Sequence, residues 1–146
     1  MIESSDVPVT AIMTKNVTCA QRDLHVDQLT QRMLREHIGC IPVVDEAGRP
    51  IGMVTKLDLV EVAGHRDLAF RTATDVMMPL AMTLGDRATV AHVARLMAAE
   101  DVHHVPIVDA ERRLVGIVST MDVVRWLASV PERRGDDGET GIDPDR

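Results

Sequence analysis

Aromatic side chains are nearly missing from this sequence, which has one Trp, one Phe and no Tyr in 146 residues. The formal net charge is −7. The chain therefore offers neither stacking platforms for bases nor a basic surface for phosphate backbones, and no nucleic-acid partner is expected. No apolar run approaches the roughly 18 residues of a membrane-spanning helix. The opening stretch MIESSDVPVT has neither the basic nor the apolar region of a secretion signal, so the expectation is a cytoplasmic protein without a membrane segment. Cys19 and Cys40 are the only thiols. They are too few for a zinc cluster or a CxxC pair and are expected to be reduced and buried. GxGxxG, GxxxxGK[ST] and Gly-x-Ser-x-Gly are all absent, so no Rossmann site, P-loop or nucleophile elbow is encoded. No catalytic residue, metal site or cofactor is assigned, and the chain is not expected to be an enzyme.

What is present is a repeat. A shift of 64 residues, without gaps, lays Thr10 to Val60 over Thr74 to Val124. It superimposes Met13 on Met77, Val26 on Val90, Met33 on Met97, Pro42 on Pro106, Gly52 on Gly116 and Asp58 on Asp122. In the first copy Asp23 reads as an N-cap, followed by Val26, Leu29, Met33 and Leu34 on one helical face and Gly39 as a stop. The run Ile41 to Val44, the polar turn Asp45 to Arg49 and the run to Thr55 predict a β-hairpin. A closing helix over Lys56 to Ala63 spreads Leu57, Leu59, Val60 and Val62 around its axis, which predicts burial on two sides. The second copy repeats this order with Val90 to Met97, Val105 to Val108, Leu114 to Ser119 and Met121 to Ala128.

The fold class is α+β, each unit reading helix, strand, strand, helix. About 50 residues bury too little surface to stand alone, so the copies are expected to pack on each other with pseudo-twofold symmetry. The units span residues 9 to 66 and 73 to 130. Residues 131 to 146, rich in charge, Gly and Pro, read as a disordered acidic tail.

The strings Gly52-Met53-Val54-Thr55-Lys56-Leu57-Asp58 and Gly116-Ile117-Val118-Ser119-Thr120-Met121-Asp122 each follow a strand opening Pro-Val-Val-Asp or Pro-Ile-Val-Asp. This resembles a tandem pair of cystathionine β-synthase (CBS) domains, a Bateman module. The resemblance implies a disc with two clefts that take AMP, ADP, ATP or S-adenosylmethionine, and a homodimer formed through helices that signals to an effector protein. Physically, the [Ser/Thr]-x-x-Asp element puts free amides and a hydroxyl at a helix start, where they suit phosphate, and a carboxylate one turn on that suits two ribose hydroxyls. The same residues read equally as capping boxes.

The resemblance also implies that each cleft joins the pre-proline segment of one copy to the Ser/Thr-Asp element of the other. The first cleft would gather Met82, Val102, His103 and His104 with Met53, Thr55, Lys56 and Asp58. The second would gather Thr18, Ile38, Gly39 and Cys40 with Ile117, Ser119 and Asp122, with Lys15 as its nearest cation. With an ammonium and two imidazoles, the first is expected to be the better phosphate site. The competing reading is a ligand-independent dimerisation module in which these elements only cap helices.

Overall fold

The computed structural model describes residues 6–79 and 82–131. Apart from Pro131, the expected tail lies outside the described residues. The two long helices are α1 (Val26–Glu36) and α4 (Val90–Glu100), and each buries three equivalent residues: Val26, Leu29 and Met33, or Val90, Val93 and Met97. Leu34 does not join them. It is 71% exposed, because one step beyond Met33 turns it roughly 100° from the buried stripe.

The start of α1 also departs from expectation. His25, not Asp23, is the N-cap, and its amide donates to Gln28 Oε1 at 3.2 Å. Asp23 is unavailable because its neighbours are tied elsewhere: the carbonyls of Leu24 and Arg22 accept the amides of Ala73 (2.8 Å) and Thr74 (3.1 Å). Gly39 is not the stop. Both helices end on a left-handed residue, His37 or Asp101, each with φ of 52°. The next amides, Ile38 and Val102, return to the carbonyls of Met33 and Met97 and close the helix ends.

Each copy then forms its hairpin in identical register: β2 (Cys40–Val44) with β3 (Pro50–Thr55), and β6 (His104–Val108) with β7 (Leu114–Ser119). The turns are closed by aspartates. Asp45 Oδ1 accepts the amides of Ala47 and Arg49, both at 2.9 Å, and Asp109 Oδ1 accepts those of Glu111 (3.0 Å) and Arg113 (2.9 Å). Short strands missing from the sequence reading, β1 (Ala20–Gln21) and β5 (Leu84–Gly85), add in parallel to β2 and β6.

The copies pack by exchanging their leading segments. The turn Val9–Ala11 of the first copy enters the core of the second, where Val9 is fully buried among Val93, Met97, Val105, Ile107 and Val118. Helix α3 (Ala73–Val76) and strand β4 (Met78–Pro79) of the second copy enter the first, where Ala73 is fully buried with Leu29, Ile41 and Val54. The hydrogen bonds obey the same symmetry. Val9 donates to Ala88 and Val90 to Val7, mirrored by Ala73 to Leu24 and Val26 to Arg71. Thr14 bridges Ile117 as Met78 pairs with Met53.

This exchange explains why Met13, Met77, Gly52 and Gly116 all recur in the repeat. A Cβ on Gly116 would fall on the Met13 thioether, and one on Gly52 on the Met77 thioether and the Met78 carbonyl. The closing helices α2 (Lys56–Val62) and α5 (Thr120–Ser129) differ from the expected two-sided burial. No residue of α2 is buried, α5 buries only Val123, and Leu57, Val60, Met121, Val124 and Leu127 face outward. Among the described residues nothing covers that side.

Candidate functional site

The ends of β3 and β7 run directly into α2 and α5, and at each junction the Ser/Thr-x-x-Asp element forms a reciprocal cap. The Thr55 amide donates to Asp58 Oδ2 at 2.7 Å, and the Asp58 amide donates to Thr55 Oγ1 at 3.3 Å. The Ser119 amide donates to Asp122 Oδ2 at 2.8 Å, and the Asp122 amide donates to Ser119 Oγ at 3.1 Å. Each aspartate spends only Oδ2 on the cap. Among the described residues Asp58 Oδ1 has no hydrogen-bond partner, and Asp122 Oδ1 has only Arg125 Nη1 at 3.9 Å. Capping and recognition of a ribose diol therefore do not compete for the same oxygen.

The hydroxyls differ. Thr55 Oγ1 also donates to Asp58 Oδ2 at 3.0 Å, which spends its proton. Among the described residues Ser119 Oγ accepts from Asp122 and donates to nothing, so its proton is available to an acceptor in the cleft.

The first cleft has a volume of about 250 Å³. Six residues expected there line it: Met53, Thr55, Met82, Val102, His103 and His104. Met78, Pro79 and Val105 complete it. Lys56 and Asp58 are not in its lining. The Lys56 stem runs past Gly39, with Cε 3.5 Å from where a Cβ on that glycine would sit. Its amide donates to the Gly39 carbonyl at 3.0 Å, and its side chain enters a groove between α1 and α2 with Met33, His37 and Leu59. The cation expected to make this the stronger phosphate site is therefore directed elsewhere.

All seven residues expected in the second cleft, Thr18, Ile38, Gly39, Cys40, Ile117, Ser119 and Asp122, line one cavity of about 340 Å³. The expected cation Lys15 does not. It borders a separate depression with Met13, Cys19 and Leu114. The basic side chains here are Arg125 and His37, accompanied by Thr14 and Asn16, none of which the sequence reading named. Arg125 was legible: it follows Asp122 by three residues on a helix and so shares its face.

His104 lines both clefts because it opens β6 directly opposite Ser119. Its pKa is lowered, first by burial and then by the neighbouring His103, against a smaller opposing pull from Asp122. The repeat places Cys40 at the equivalent point opposite Thr55. Burial, reinforced by Asp58, pushes the Cys40 thiol up to about 12, and its Sγ lies 3.6 Å from Met53 Sδ. A thiol so protonated is not a nucleophile at neutral pH. Both cysteines are free, and Cys19 is only half-buried rather than buried. Among the described residues no three His, Cys, Asp or Glu side chains converge as a metal site, and no helix is long and apolar enough to cross a membrane.

The CBS domain family model matches residues 9–65 and again residues 73–129. The chain belongs to the CBS domain family. As a CBS pair it is 28% identical over 114 residues to L-aspartate semialdehyde sulfurtransferase of Methanocaldococcus jannaschii, covering 78% of this chain but 22% of that enzyme. The chain thus spans only a minor part of that curated relative. Among solved structures, the CBS domain pair of protein MJ0100, in complex with 5′-methylthioadenosine and S-adenosyl-L-methionine, superimposes with a TM-score of 0.76 at 27% identity. The match covers 84% of this chain and 96% of that one. The cytosolic domain of the Mg2+ channel MgtE, in complex with ATP, gives 0.71 at 30% identity, over 83% of this chain and 49% of that one. These pairs share the pseudo-twofold α+β architecture.

Proposed function

We propose that this CBS pair is a regulatory module that binds an adenine nucleotide or related adenosyl ligand between its repeats and signals by changing their relative disposition. The observation that carries this reading is the second cleft. Ser119 and Asp122 of one copy meet Thr18, Gly39 and Cys40 of the other around one cavity, with one carboxylate oxygen and one hydroxyl proton uncommitted. A ligand there touches both copies at once, and its binding energy is then available to bias how they sit. The ligands of the MJ0100 pair and of the MgtE domain fall in the same chemical class. Two free thiols suit a cytoplasmic setting.

One observation favours a second role that coexists with the first. The outward apolar residues of α2 and α5, Leu57, Val60, Val124 and Leu127, form faces suited to a second copy. We assign them to a homodimer through which the ligand state is presented to an effector protein.

Calorimetry and thermal shift with AMP, ADP, ATP, S-adenosylmethionine and 5′-methylthioadenosine test the reading. A ligand at 100 times its Kd adds about 2.7 kcal/mol of stability. The 2′-deoxy analogue of whichever ligand binds is expected to bind more weakly, because Asp122 then has one hydroxyl to accept from instead of two. Silence across the whole panel favours a ligand-independent dimerisation module.

A further inference from the structure

The two clefts are equivalent in register and opposite in chemistry. The second is ringed by Thr14, Thr18, His37 and Arg125. The 64-residue shift puts Met78, Met82, Asp101 and Glu61 at the corresponding positions of the first copy's cleft. Hydroxyls become thioethers, and the guanidinium and imidazole have no basic counterpart, since the equivalent Glu61 and Asp101 are acidic and lie outside the first cleft's lining. Lys56, which would have restored a positive charge to the first cleft, points into the groove between α1 and α2. What remains in the first cleft is a wall of Met53, Met78, Met82, Val102 and Val105, with His103 and His104 at one end. The donors differ in the same direction, since the Ser119 hydroxyl proton is uncommitted while that of Thr55 is spent on Asp58.

A phosphate entering the second cleft meets the Arg125 guanidinium and the Ser119 hydroxyl donor beside Asp122, whereas in the first it meets thioethers and the imidazoles of His103 and His104, with no guanidinium or ammonium among the described lining residues. Charge-assisted donors favour phosphate strongly, and polarisable sulfur favours adenine rings and apolar substituents. We infer that the two clefts sort adenosyl ligands by charge. The cleft carrying Arg125 and His37 takes the phosphorylated nucleotide, and the cleft carrying Met53, Met78 and Met82 takes an adenosine derivative without phosphate, bearing a thioether or sulfonium at its 5′ position. This inference rests on the adenosyl-sensor reading above and deepens it.

The test is calorimetry on the full chain with AMP and with 5′-methylthioadenosine, singly and with the other present at saturation. Sorting predicts that each ligand binds with one site per chain and that neither displaces the other. Added salt weakens AMP binding and leaves the thioether nucleoside unchanged. Arg125→Gln is expected to weaken AMP by about tenfold or more, the scale of one charge-assisted hydrogen bond, and to leave 5′-methylthioadenosine within about twofold. Because Arg125 is exposed, the variant is expected to fold, and His37→Gln gives an independent second reading. Mutual displacement at one site, or equal losses of both ligands in Arg125→Gln, overturns the sorting while leaving the adenosyl reading intact. AMP binding with no 5′-methylthioadenosine binding overturns the assignment of the methionine-lined cleft. If neither ligand nor any other adenosyl compound binds, the parent reading falls and the sorting with it.

Discussion

Adding one methyl group at Gly52 or Gly116 probes the segment exchange directly. At Gly116 the three atoms nearest the new Cβ all belong to the Met13 side chain, and a flexible thioether can swing away. At Gly52 it meets the Met77 side chain and also the Met78 carbonyl at 2.8 Å. That carbonyl belongs to β4, which is hydrogen-bonded to β3 at this point, so relief requires moving paired backbone. Overpacking costs about 1–3 kcal/mol, offset by about 0.4–1 kcal/mol from the smaller entropy of an unfolded alanine. Gly116→Ala is therefore expected near the low end, about 1 kcal/mol, and Gly52→Ala near 2 kcal/mol or above. Urea denaturation of both variants, alone and combined with Met13→Ala, measures this. In the Met13→Ala background Gly116→Ala should become neutral or mildly stabilising, whereas Gly52→Ala should keep its full cost, because Met13 touches only the Gly116 site. Equal costs for the two glycines, or no coupling between Met13 and Gly116, would refute the argument that the exchanged segments dictate both positions.

The lowered pKa of His104 has a defined sign. The unfolded chain takes up this proton near pH 6.5 while the folded chain still resists it, so stability is flat above that value and declines as pH falls below it. His104→Asn should therefore flatten the loss of urea stability between about pH 7.5 and 5.5 relative to the parent; an unchanged slope would show that His104 does not carry it. Cys40, with its thiol near 12, should resist iodoacetamide at neutral pH in the folded protein while half-buried Cys19 is alkylated first, read by peptide mass spectrometry. Leu127→Lys, on the outward face of α5, should shift the chain toward monomer in sedimentation, and any drop in melting temperature should disappear when parent and variant are compared at a dilution where both are monomeric, because that side chain supports no core of its own.

How much of this was legible depends on whether a residue's role is local. The hairpins were, since Asp45 and Asp109 close their turns through amides two and four residues on, and that chemistry is written twice. The N-cap of α1 was not. Asp23 is as good a capping residue as any, but the backbone on either side of it is bound by a segment some 50 residues away. The closing helices were misjudged for a related reason: an apolar residue such as Val60 or Leu127 looks the same in sequence whether it faces a core or a second molecule. At the site, most residues expected on strands and at helix starts line the two cavities, Asp58 excepted. The lysine side chains do not. Lys56 and Lys15 were assigned by proximity in sequence, and long flexible side chains follow the nearest groove instead.

Under the proposed reading, helix α5 is the element that converts occupancy into signal. Its first two turns carry Asp122 and Arg125 toward the second cleft, while Val124 and Leu127 face outward. A ligand held by Asp122 and Arg125 is also held by Thr18 and Gly39 of the other copy, so it fixes the position of α5 against that copy. Helix α2 stands at the corresponding point of the first cleft, with its own outward Leu57 and Val60. The exchanged segments make the two movements interdependent, because Val9 and Ala73 each lie in the core of the opposite copy and neither copy shifts without pulling on the other. A ligand that binds two such arrangements with a tenfold difference in affinity shifts their balance by about 1.4 kcal/mol, and one that binds both equally shifts nothing however tight it is. The quantity that decides whether this module signals is therefore the difference in ligand affinity between arrangements of α2 and α5, and not the affinity itself.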